Sequence, residues 1–265
     1  MLALRSSHRP TPLIRAAASR RTLLTATAGA VAATAYGAGP ARSATPLTIV
    51  VAGGHPGDPE YGCGGTVARY TEQGHKVVLL YLNRGEALSD GEAGCPERDP
   101  QQGSAVRVRE ALAACDILGA TPVFAGQCNG HAVVDPPHYQ AFAELLRDLK
   151  PDVVFNQWPI DNHPDHRALS NLTYEAWIRM GRTPALYYYE VSNGEDTLMF
   201  PASDYVDIST TEPRKRQACY AHASQTPDRF YALQSDVARF RGIEAGFPQA
   251  EAFVRHVRSR PGLLP

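Results

Sequence analysis

Runs of continuous apolar residues alternate with amphipathic stretches along most of this chain. LTIVVAGG (47–54) is rich in β-branched residues and closed by glycines, the pattern of a strand buried on both faces. YGCGGTVARYTEQG then reads as a helix ending at Gly74, and KVVLLYLN (76–83) as a second strand. SAVRVREALAACDILG (104–119) has apolar positions three and four apart and predicts an amphipathic helix closed by Gly119. TPVFAG predicts a short strand, and PPHYQAFAELLRDLKP (136–151) a helix stopped before Pro151. DVVFNQW (152–158) predicts another buried strand and HRALSNLTYEAWIRMG (166–181) another helix. ALYYYEVS (185–192) and YVDIS (205–209) read as strands, and EPRKRQACYAHASQ (212–225) as a helix.

This alternation predicts βαβ units, hence an α/β fold: a doubly wound, mostly parallel sheet with helices on both faces. In such sheets ligands sit beyond the carboxyl ends of the strands. No repeat and no linker divides the region, so one domain is expected. SDGEAGCPERDPQQG (89–103) is the longest irregular stretch; it either borders the site or is a mobile surface loop.

The first 44 residues differ in kind. They contain no Asp or Glu, and SRRTLLTATAGAVAATAYGAG places the Arg20–Arg21 pair before an Ala-rich run, followed by small residues. That is the architecture of a twin-arginine export signal, with cleavage expected near Ala44 or Ala41. The expected division is a signal over 1–44 and a domain over 45–265, soluble after processing, with no stable membrane span and an extracytoplasmic or secreted location. The apolar run is too short for a confident span. Net charge is −1 over 265 residues, with no basic stripe, which argues against a nucleic-acid partner. The five cysteines form no C-x-x-C pair, so a cysteine zinc cage is not expected. Cys95 and Cys128 lie in Gly/Pro-rich contexts where a disulfide is conceivable, whereas Cys63 and Cys115 read as small buried residues. Oligomeric state is open.

Two polar clusters carry the chemistry. GGHPGDPE follows the first strand and sets His55 three residues before Asp58, in a turn bent by Pro56, Gly57 and Pro59. DNHPDHRA follows the 152–158 strand and again sets two histidines, His163 and His166, three apart with Asp165 between. Both clusters should emerge on one edge of the sheet. His55, Asp58 and a later histidine make three N/O ligands with a fourth position open, the composition of a catalytic zinc site; iron or cobalt would suit the same donors. The glycines match neither G-x-G-x-x-G nor G-x-x-x-x-G-K-[ST], so nucleotide binding is disfavoured.

AGGHPGDPEYGCGGTVARY, LLYLNRGE, RVREALAACDILGA, PIDNHPDHRA, YYYEV, HASQ and RGIEAGFPQAEAF together resemble, in that order, the PIG-L/LmbE family of zinc-dependent N-deacetylases. The resemblance spans about residues 47–256. It implies a Rossmann-like fold without a dinucleotide, and removal of N-acetyl groups from N-acetylglucosamine-type small molecules or glycoconjugates. It implies His55, Asp58 and His166 as zinc ligands, and His163 as the histidine beside the substrate carbonyl. Asp165 would be the carboxylate that orients His163, and Glu60 a further supporting acid. Arg107 would reach substrate hydroxyls; its plain reading is a surface helix charge. Asn129 stands where many relatives carry a substrate-binding Asp. His222 and Gln225 match a late H-x-S-Q segment, with His222 placed at the substrate. One departure matters: the family pattern is His-Pro-Asp-Asp, its first Asp being the general base, and this chain has Gly57 there. Asp161, Glu60 or a substrate group would then take over proton transfer. Otherwise the reaction is altered, or the protein binds a carbohydrate or metabolite without turnover.

Overall fold

Thr48–Gly53 forms β1, and Lys76–Tyr81 pairs beside it as β2, parallel and in register from Thr48 with Lys76 to Gly53 with Tyr81. On the other side of β1 lies β4 (Val153–Gln157), which in turn pairs with β5 (Ala185–Tyr189). A short β3 (Thr121–Phe124) extends the β2 edge. All four of these pairings are parallel, as expected. The seven-stranded order is β3-β2-β1-β4-β5-β7-β6. This computed structural model describes residues 45–86, 104–191 and 195–265. The expected export signal (1–44) and the irregular 89–103 stretch lie outside them.

Helices cover both faces because every central strand is apolar on both. Ile49 and Val51 face one layer, built with α1 (Asp58–Glu72), α2 (Ser104–Leu118), α5 (Glu212–Tyr220) and α6 (Pro227–Ala245). Val50 and Ala52 face the other, built with α3 (Pro136–Leu149) and α4 (Pro164–Arg179) around Trp177, Leu172 and Phe142. The single α/β domain expected from the alternation is what these layers make.

The far edge departs from the sequence reading. β7 (Ala250–Arg255) inserts antiparallel between β5 and β6 (Asp204–Asp207), and the helix read to residue 225 stops at Tyr220, followed by a 3-10 turn (Ala223–Gln225) and α6. The residues of α6 that turn inward include Gln234 and Arg241, so it carries no clean apolar stripe. β7 opens on a buried glutamate: Glu251 accepts from the backbone N–H groups of Gly65 (2.9 Å) and Thr66 (2.8 Å) and pairs with Lys215 at 2.7 Å. This ties the last strand to α1. The helix lies close against its neighbours: a Cβ on Gly65 would come within 2.6 Å of Ile208, so only glycine fits there.

Cys63, Cys115 and Cys219 are free and buried, and Cys128 is disulfide-bonded; Cys95 lies outside the described residues. Among the described residues no helix is long and apolar enough to cross a membrane.

The order places the switch of chain direction between β1 and β4. From β1 the chain winds outward through β2 and β3, then returns through α3 to β4 on the opposite side. The crevice beyond two such strands is where a doubly wound sheet binds ligands. Both polar clusters leave the sheet at that crevice.

Candidate metal centre and active site

Each cluster is a strand end running into a helix N-terminus. After β1, Gly54 donates its N–H to Gln157 Oε1 of β4 at 2.9 Å, joining the two strand ends. Asp58 opens α1, where the partial positive charge of the helix end favours a carboxylate. After β4, His163 caps α4: its Nδ1 accepts the Asp165 N–H at 3.2 Å, and Pro164 fills the first helical position. Both helices start three or two residues earlier than the apolar pattern suggests, and the site residues occupy those first turns.

Three donor atoms meet at one point. Asp58 Oδ2 is 3.2 Å from His55 Nδ1 and 3.1 Å from His166 Nε2, and the two nitrogens are 3.3 Å apart. Zinc–ligand bonds of about 2.0–2.1 Å in a tetrahedron leave ligand atoms about 3.3–3.4 Å apart, so the expected set fits a small divalent cation. A nitrogen from each of His55, His163 and His166 also falls within 4.8 Å of the others. The His55–Asp58–His166 triangle is the tighter group.

The far side of each donor is held. His55 Nε2 meets Asp165 Oδ2 at 3.1 Å, and His166 Nδ1 meets Asp161 Oδ1 at 3.0 Å. Gln157 Nε2 donates to Asp58 Oδ2 at 3.1 Å. Such carboxylate–imidazole pairs fix ring orientation and leave the other nitrogen's lone pair facing the point where a cation would be held. The same charges hold protons. Burial alone would lower the His166 pKa, but Asp58 and the Asp161 hydrogen bond push it up to about 10. His55 is raised likewise, burial being outweighed by Asp58 and Asp165. Asp58, which burial would raise, falls well below the usual carboxylate range beside the two imidazoles.

Two expected roles change here. The Asp165 carboxylate does not sit on His163; it accepts from Asn83 Nδ2 (3.1 Å) and Gly130 N–H (2.7 Å) and faces His55, while the His163 ring receives the Asp165 backbone N–H. The reason is geometric: Asp165 lies in the first turn of α4 and points under the β1 loop. Asp161, considered as a replacement base, is buried behind His166, with Oδ1 on His166 and the His163 N–H and Oδ2 taking the Thr197 hydroxyl. Its place orients a ligand.

His163 itself stands at the cavity, its ring centroid 4.5 Å from that of His55 and 4.7 Å from that of His166. Because Nδ1 accepts a hydrogen bond, the neutral ring carries its proton on Nε2. Burial and the two neighbouring imidazoles lower its pKa, which disfavours the charged ring.

A cavity of about 350 Å³ opens from the triangle and is lined by Arg107, Asn129, His222 and Gln225 as well as the ligands. Arg107 is therefore not a plain surface charge; its Nη2 donates to Pro56 O at 2.5 Å. Asn129 Nδ2 donates to Glu86 O at 2.7 Å. His222 is fully buried and meets Glu60 Oε1 at 3.0 Å through Nε2. Glu60, also fully buried, takes the Gly57 N–H at 3.1 Å and the Tyr81 hydroxyl at 2.7 Å. These contacts make Glu60 a brace beneath the loop rather than a base in the cavity. Gly57 adopts φ 111°, a backbone conformation L side chains rarely enter. Asn83, Gln157, Thr197 and Tyr61 are absent from the sequence reading of the site. Asn83 and Gln157 carry a signal nonetheless, being amides at the carboxyl end of otherwise apolar strands.

Fold and site together define a Rossmann-like α/β protein with an imidazole–carboxylate cluster at its switch point. Residues 50–177 match the family described as PIG-L, GlcNAc-PI de-N-acetylase. The chain is 26% identical over 227 residues to the diacetylchitobiose deacetylase of Thermococcus kodakarensis, covering 79% of this chain and 82% of that protein. It is 26% identical over 213 residues to the 4-oxalmesaconate hydratase of Pseudomonas putida, covering 75% and 81%. A conserved protein of Thermus thermophilus superposes with a TM-score of 0.67 at 30% identity, over 83% of this chain and 99% of the other. Over residues 50–177 the chain belongs to the PIG-L family.

Proposed function

We propose that this protein is a metal-dependent amide hydrolase that removes an N-acetyl group from an amino sugar or glycoconjugate. The observation that carries the reading is the His55–Asp58–His166 triangle, whose edges of 3.1–3.3 Å match a zinc site. Bound there, zinc supplies Lewis acidity at the cavity side of the triangle. The chain's own groups do the rest. Asp165 and Asp161 hold the two imidazoles in place. His163 presents Nε2–H toward the cavity, where it donates a hydrogen bond to the oxyanion developing on the acyl oxygen. Arg107 and Asn129 line the wall that binds substrate hydroxyls. The cavity volume suits a small sugar. Metal analysis together with acetate release from N,N'-diacetylchitobiose tests this. Metal at one equivalent with acetate release supports the reading; metal-loaded protein that releases no acetate from any N-acetylated sugar refutes it.

The similarity to a hydratase supports a second reading, water addition to an unsaturated acid at the same cluster, and Gly57 favours a departure from the deacetylase pattern. Loss of ultraviolet absorbance from an enoic dicarboxylate, with no acetate released from sugars, would favour it. The Arg20–Arg21 segment supports export of the folded domain by the twin-arginine route. Retention of an Arg20→Lys/Arg21→Lys variant inside the cell tests that.

A further inference from the structure

The missing side chain at position 57 is built into the loop. Gly57 sits at φ 111°, and its N–H is fixed by Glu60 Oε2 at 3.1 Å. Space is not what excludes a side chain: a Cβ there would meet the Tyr61 ring at 3.6 Å and His222 Cδ2 at 3.9 Å, ordinary contacts. The backbone excludes it, so a gap stands beside the metal triangle where the family pattern has a carboxylate.

Polar atoms without partners surround that gap. Among the described residues, the Tyr61 hydroxyl, Arg107 Nε and His222 Nδ1 are buried and have no hydrogen-bond partner, and all three residues line the same cavity. Tyr61 is 9% exposed and His222 is 0% exposed. Buried polar atoms are rarely left unpaired, and those at a cavity wall commonly await a ligand. The nearby acids are engaged: Glu60 with Gly57, Tyr81 and His222, Glu110 with Ser224 while lying 3.8 Å from Arg107 Nε, and Asp58 in the triangle. Asp196, which also lines the cavity, has a partner of its own. A guanidinium N–H with no acceptor in hydrogen-bond range among the described residues, beside a phenol O–H in the same position, calls for an acceptor-rich, anionic group.

We propose that the substrate itself brings the carboxylate this chain lacks: an N-acylated amino sugar with an acidic substituent next to the amide, seated over Gly57 and held by Tyr61 and Arg107. This rests on the amide-hydrolase reading. The substrate carboxylate takes one proton from the attacking water as its oxygen bonds to the acyl carbon. The C–N bond then breaks, the amine nitrogen receives that proton, and the acyl group leaves as acetic acid with the water's second proton, which it releases to solvent as acetate forms. Tyr61 and Arg107 are positioning residues.

N-acetylmuramic acid and N-acetylglucosamine form a matched pair of probes, differing by a lactyl carboxylate on the ring carbon beside the amide. Calorimetry on the zinc-loaded full chain should show the acid binding about tenfold or more tighter. Tyr61→Phe should erase the preference while keeping affinity for the neutral sugar within about threefold, and Arg107→Gln should erase the preference while also weakening the neutral sugar, whose hydroxyls it meets. Equal affinities, or a preference that survives both substitutions, overturn the proposal. Acetate release separates it from the parent reading. Release from the acid with a higher kcat/KM supports both; equal release from both probes overturns the carboxylate role and leaves the hydrolase standing. Release from neither overturns the hydrolase reading and the proton transfer with it, and the binding preference then decides the subsite alone.

Discussion

Asp165 Oδ2 lies 3.1 Å from His55 Nε2, joining residues 110 positions apart. The acid of the second cluster thus supports a donor of the first, and each loop needs the other to present its donors. Asp165→Asn should weaken zinc affinity about 10–100-fold while the fold survives, as removal of such partners commonly does. Competition with a chromophoric chelator measures it, and unchanged affinity would remove Asp165 from this role.

Asp58→Ala should abolish stoichiometric metal binding, because it removes the oxygen shared by both triangle edges to the histidines. His163→Ala should keep the metal and lower kcat by about 10²–10³-fold. Elemental analysis beside acetate release distinguishes the two. A metal-free His163→Ala protein would place His163 among the ligands instead.

Protons and metal compete at His166. Its folded pKa of about 10 exceeds the unfolded value near 6.5, so the stability it gives the metal-free protein is fully present below pH 6.5. That stability is lost as pH rises from 6.5 through about 10. The metal-free melting temperature should fall over this window, and zinc affinity should rise with pH as fewer protons must be displaced. Melting curves and chelator titrations at stepped pH check both; a metal-free Tm that climbs across the window would contradict the assignment.

Lys215 and Glu251 are a buried pair, each side chain 3% exposed. Lys215→Met strands a buried carboxylate and should cost about 3–5 kcal/mol, read by urea denaturation of the metal-free protein.

The strand-to-helix frame around the site was readable because β1, β2 and β4 are apolar on both faces and their helices close with glycine or proline. That His55, Asp58 and a later histidine would lie at one sheet edge was readable because two His-containing turns each follow a buried strand; the choice of His166 rested on the family resemblance. What escaped was set by partners distant in sequence. Asp165 turns to His55 and not to its neighbour His163, a choice made by Asn83 and the Gly130 N–H. The edge built from α6 and β7 escaped because Gln234, Arg241 and Glu251 are buried polar residues, which interrupt the apolar periodicity that marks an element. The backbone angle at Gly57 has no local signature beyond glycine itself.

The insertion of β7 between two earlier strands makes the site lean on the end of the chain. Glu251 supplies the acceptors for two amides of the helix that opens with Asp58, and the charge partner of Lys215. A nascent chain halted before residue 250 has the first and second clusters already synthesised but not the strut that steadies the helix beneath them. Truncation before residue 250 would thus leave both clusters in the chain but remove a buried anchor of the helix that carries Asp58.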